Sequence, residues 1–80
     1  MPRYFFNVVG AADDPDDEGI ELPNISDARS ACVRAAGEYL REHPEIVWSG
    51  DEFRIETRNA SGLILFTFIA LGVDAPAGQG

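Results

Sequence analysis

Eighty residues make one domain with room for one small core, since a chain of this length buries only about 60% of the surface its unfolded form exposes. The sequence is 45% hydrophobic with five Phe, too apolar for a disordered chain. Fourteen acids against six arginines and no lysine leave a net charge of −8, which argues against nucleic acid and against an anionic membrane surface, because both are held by clustered Lys or Arg.

The first segment, Arg3 to Val9, is aromatic and β-branched and reads as a strand. It sets Tyr4, Phe6 and Val8 on one face and Phe5, Asn7 and Val9 on the other. Apolar groups on both faces predict a central strand, or a second face covered by a partner. Gly10 to Glu18 follows with five acids, Pro15 and nothing to bury, so an extended, hydrated loop with a mobile tip is expected. Gly19 to Leu22 spaces Ile20 and Leu22 two apart, the pattern of a short strand returning at a sheet edge just before Pro23.

Ser26 to Glu42 is the segment with helical periodicity. Ala28, Ala31, Cys32, Ala35 and Tyr39 fall on one stripe, Ile25 and Ala36 at its margins, and Asp27, Arg34, Glu38 and Arg41 opposite. Asn24 and Ser26 are both candidate N-caps, and Pro44 ends the helix. A stripe of Ala and Cys lets the helix lie close to a sheet, so the bulk of the core should come from the strands.

After a connector carrying Ile46, Val47 and Trp48, Phe53, Ile55 and Thr57 alternate with Glu52, Arg54, Glu56 and Arg58, a strand with one dry and one wet face. Asn59 to Gly62 is a tight turn with Gly62 suited to positive φ. The last strand, Leu63 to Leu71, is apolar on both faces apart from Thr67 and is expected in the middle of the sheet. Gly72 to Gly80 reads as a disordered tail after a domain of residues 1–71.

The elements compose an α+β fold, β-β-α-β-β, with one helix on a four-stranded, mostly antiparallel sheet. Hairpins flanking a crossover helix suggest the β-grasp-like order 2-1-4-3, with the first and last strands parallel.

Pro2 to Val8, PRYFFNV, then Asp17-Glu18-Gly19-Ile20-Glu21-Leu22-Pro23, and the alanine-rich helix from Asp27-Ala28 together resemble a family of short bacterial proteins known as a domain of unknown function. Its members open on P-R-Y-F-F-[DN], carry D-x-x-G-x-E-L before the helix and end in a hairpin around D-x-x-G. Here Asn59-Ala60-Ser61-Gly62 puts Asn in the Asp position. The resemblance covers roughly residues 2 to 70 and implies no activity, cofactor or partner.

No single function emerges from the residues. Asp13, Asp14, Asp16, Asp17 and Glu18 offer oxygen ligands, but counted from Asp13 the sixth position is Glu18 and the twelfth Asn24, which fails the EF-hand spacing. A solvated loop, a docking site for a basic partner, and a weak divalent-metal or small-enzyme site using these acids are the three readings. His43 suits the helix C-terminus, and Cys32 faces the core without a second Cys or His in sequence. No nucleophile elbow or phosphate-binding loop is present. No catalytic, cofactor or metal residue is therefore assigned, and the chain is expected not to be an enzyme. One cysteine and no signal-peptide pattern point to the cytoplasm.

One helix covers one sheet face. On the other, the first strand places Phe5 and the last strand places either Leu63 and Leu65 or Ile64, Phe66 and Phe68. Trp48 is an interface candidate beside Phe5, Leu63 and Leu65, unless the Ile46 to Trp48 loop closes that face. A small interaction or regulatory module, as a homodimer or with a protein partner, is the expectation.

Overall fold

A computed structural model of the chain describes residues 1–78. Four strands, β1 (Arg3–Gly10), β2 (Ile20–Glu21), β3 (Phe53–Arg58) and β4 (Ile64–Ala70), surround one helix, α1 (Ile25–Glu42) in chain order. The sheet is antiparallel throughout, in the order β2-β1-β3-β4. This is the α+β fold read from the sequence, with one correction. The expected order 2-1-4-3 is overturned: β3 pairs with β1 (Val8 opposite Ile55), and β4 lies at the edge instead of the middle. The wet-dry alternation of β3 looked like an outer strand. Its Phe53, Ile55 and Thr57 are instead fully buried under α1 while Arg54 and Glu56 line the opposite face. An antiparallel strand can be central and still keep one wet face.

Asn24 is the N-cap of α1: its Oδ1 accepts the Asp27 N–H at 2.9 Å. The buried stripe is Ala28, Cys32 and Ala36, one row over from the expected centre, so Ala36 is a core residue while Ala31, Ala35 and Tyr39 are half-buried. His43 is the C-cap, its N–H bonded to Tyr39 O at 3.0 Å and its ring against that of Tyr39. The connector after it is a 3₁₀ helix, Pro44–Trp48. Val8, Cys32, Ala36, Phe53 and Ile55 form the core, with Phe6, Tyr39, Ile46, Val47, Phe66 and Phe68 packed around it. Ile46 and Val47 therefore extend the helix side and do not close the other face.

The β3–β4 hairpin turns on Asn59, whose Oδ1 accepts the N–H groups of Ser61 and Leu63 at 3.0 and 3.1 Å, while Gly62 takes φ +84°. Arg58 Nη1 donates to Gly62 O at 2.7 Å. Arg58 pairs with Ile64 and Thr57 with Phe66, so Leu65 occupies a bulge. Beyond β4 the Gly72 N–H bonds to Val47 O at 2.8 Å, and the Trp48 ring lies where a Gly72 side chain would be. Of the expected tail, residues 72–78 contain a short 3₁₀ turn, Pro76–Gly78; residues 79 and 80 lie outside the described residues.

Removing a large buried ring leaves a cavity that the small neighbours Cys32 and Ala36 do not fill. Phe53→Ala should lower the unfolding free energy by about 3–5 kcal/mol, whereas Val33→Ala, on an exposed part of α1, should stay within about 0.5 kcal/mol; urea denaturation measures both.

Candidate functional site

The two edges of the sheet are treated in opposite ways. The outer edge of β1 is closed along its length. β2 pairs with Arg3 and Tyr4, and Val8 and Asp14 exchange backbone bonds at 3.1 and 3.0 Å. Between them Asp16 stands in for the missing strand. Its Oδ2 accepts the Phe6 N–H at 3.0 Å, its Oδ1 accepts those of Glu18 and Gly19 at 3.1 and 3.0 Å, and its own N–H donates to Asn7 Oδ1 at 2.8 Å. Arg3 ties the same loop down, donating to Glu18 O at 2.7 Å and pairing with Glu21 at 3.6 Å.

The acidic segment is therefore tied to β1 at Asp14 and Asp16 rather than freely extended, because one acid of the five is used internally. Partial burial by itself raises the Asp16 carboxyl pKa, but the N–H groups of Gly19, Phe6 and Glu18, with the charge of Arg3, outweigh it and hold the group below its ordinary value. Asp13, Asp14, Asp17 and Glu18 stay exposed. Among the described residues no group of three or more His, Cys, Asp or Glu is placed to hold a metal ion.

Among the described residues nothing covers the outer edge of β4 in this way. It is the last strand of the sheet, and Asn59 to Val73, which contains it, has no charged residue and no proline. Cross-strand pairing places Phe66, Phe68 and Ala70 opposite Thr57, Ile55 and Phe53 on the helix side. Thr67 and Ile69 lie opposite Glu56 and Arg54 on the other. Ile64 and Ile69 are about half exposed and Leu63 is 65% exposed. Apolar side chains of this size are normally covered when they cluster. On the far face they stand beside Arg54, Glu56 and Arg58, with half-buried Phe5 and Val9 beyond on β1; Arg58 and Glu56 pair with each other at 3.0 Å.

The structure divides the residues picked from the sequence. Phe5, Leu63 and Leu65 come to the turn end of the sheet, with Phe5 next to Arg58 and Arg58 next to Ile64. Trp48 does not join them. It is exposed at the other end of β4, where it forms a small apolar group with Leu71 and Val73 around Gly72. Thr67 and Ile69 were missed. Their signal was the charge-free run, read as burial rather than as exposure at an edge. An open groove of about 220 Å³ runs between α1 and β4, lined by Arg29, Cys32, Val33, Phe66, Thr67 and Phe68. Burial pushes the Cys32 thiol pKa up; the neighbouring Thr57 hydroxyl opposes the shift without making a hydrogen bond of good geometry. A thiol so placed is a packing group, since the thiolate is the nucleophile.

Two measurements check these assignments. Asp16→Ala strands three N–H donors and should lower stability by about 1–3 kcal/mol in urea at neutral pH. Because the folded-state pKa is depressed, the Asp16 contribution is complete above the ordinary carboxylate pKa and is lost as pH falls through the lower folded value. The gap between variant and parent should accordingly close in acid. Cys32 should react with a thiol reagent only as fast as the domain opens, so the rate should rise with sub-denaturing urea.

No helix among the described residues is long and apolar enough to cross a membrane. Comparison with curated proteins and comparison with solved structures each gave no match. The family comparison does give one, and it spans the whole folded unit from the first residue of β1 to the residue after β4. The chain belongs to the family described as Domain of unknown function (DUF6894), which matches residues 3–71.

Proposed function

We propose that this domain is a small, non-enzymatic protein-interaction module that docks through β4 and the sheet face away from α1, and that it self-associates. The observation that carries the reading is the bare apolar edge of β4 in a chain of net charge −8. Unpaired edge strands template the addition of another strand, and natural domains blunt them with charge, proline or a covering loop. This chain has such a cover on β1, and none of the described residues covers Phe66 to Ala70. The bulge at Leu65 is confined to the turn end.

Charge supports the same surface. Two strongly acidic molecules repel over most of their area, and Asn59 to Val73 is where neither carries a charge. The working compartment is the cytoplasm, a reading supported by a single buried, unpaired cysteine. The acidic loop serves in this reading as the cover of one edge and as a solubilising surface.

Sedimentation equilibrium tests it. The unmodified chain should associate at micromolar concentration. Ile69→Glu sets a carboxylate opposite Arg54, where the fold accommodates it, but charges the docking surface, and should weaken association roughly tenfold or more, equivalent to about 1.4 kcal/mol. Asp13→Asn and Asp17→Asn should leave it unchanged or slightly stronger. A chain that stays monomeric into the high micromolar range would falsify self-association.

A further inference from the structure

The sequence of β4 and its flanks is nearly the same read in either direction. About Thr67 stand Phe66 and Phe68, then Leu65 and Ile69, then Ile64 and Ala70, then Leu63 and Leu71. An antiparallel pair of identical strands related by a twofold axis sets residue i against j and j against i, so a strand fits itself best when its side chains mirror about the axis. We infer that the partner of the β4 edge is a second copy of this chain, paired antiparallel about a twofold axis at Thr67, which joins the two four-stranded sheets into one.

This inference rests on the reading of β4 as the docking surface and adds the occupant and the register. With the axis at Thr67, the two Thr67 residues face each other on the side away from the helices, and each Phe66 meets the other copy's Phe68 on the helix side. Thr–Thr and aromatic–aromatic neighbours are both favourable cross-strand pairs. The match is confined to the strand on either side of Thr67: at the Leu65 bulge the alternation shifts, so Ile64 lies on the face away from the helix and Ala70 on the helix side. The groove between α1 and β4, lined by Val33, Phe66 and Phe68, borders the joined strands, so the phenylalanines of both copies lie together beside exposed Val33. The other edge offers no comparable self-match: β2 is two residues long, includes Glu21, and continues into the acidic loop.

The register makes a discriminating test. Thr67→Cys places one thiol on the axis, facing its copy within the Cα separation of less than about 7 Å that a disulfide spans. Ile69→Cys lies on the same face, but in this register its copy is four residues away along the strands, about 13 Å. Both positions are exposed, and circular dichroism checks that both variants fold. Mild oxidation with diamide should convert Thr67→Cys almost wholly to a covalent dimer on non-reducing electrophoresis, and leave Ile69→Cys monomeric. The unmodified chain, whose Cys32 is buried, should also remain monomeric on the gel. Cross-linking of Ile69→Cys equal to that of Thr67→Cys overturns the inference, as does failure of Thr67→Cys to cross-link. If sedimentation still shows a dimer in that last case, the docking surface stands and only the register falls. If sedimentation shows a monomer, both fall.

Discussion

Ala28, Cys32 and Ala36 let α1 settle over the middle of the sheet, against Phe53 and Ile55 of β3 and Val8 of β1, and the width of that one helix limits what the domain can cover. Small side chains allow close approach and leave the bulk of the core to the strands. They also keep the covered strip narrow. Phe66 and Phe68 on β4 are only half-buried beside the helix, and beyond them the sheet ends. Among the described residues only the short 3₁₀ helices Pro44–Trp48 and Pro76–Gly78 follow α1, so a four-stranded sheet under one long helix has one open face and two edges to account for.

Those edges are handled by different chemistry. Along β1, Asp16 places a carboxylate where a neighbouring strand would supply carbonyls, and the acids around it surround that edge with charge. A second chain of the same sign is repelled there. Along β4 there is no charge, and among the described residues no pinned loop. The asymmetry suits a molecule that admits a partner on one side and refuses it on the other, and it assigns the acidic segment an architectural purpose. A divalent-metal role for that segment would have to do without the Asp16 carboxylate, already committed to the N–H groups of Phe6, Glu18 and Gly19.

Much of this was legible in the residues. The 3.6-residue period of α1, the stop before Pro44, the Asn59 to Gly62 turn and the edge position of β2 all follow from local rules, and the structure carries each. Two things were not legible. The period-2 pattern of β3 reports one wet face but not how many neighbours the strand has, so the strand that sits under the helix looked peripheral. The unbroken apolar run of β4 looked like a strand buried on both sides, whereas its surplus lies open at an edge; sequence alone does not separate burial within a chain from burial between chains. Asp16 was hidden for a related reason. Among five acids it differs in standing three residues before Gly19, the spacing that lets one carboxylate take both the Glu18 and Gly19 N–H groups.

The central claim is that the β4 edge is occupied in the working form of the protein. Amide hydrogen exchange of the unmodified chain at low and high concentration measures this directly, because it reads the N–H groups of β4 that point away from β3. With no partner among the described residues, they should exchange freely in dilute solution and become protected as concentration rises, while the amides of β3 and α1 stay as they were. Fast exchange of those β4 amides at every concentration would contradict the claim.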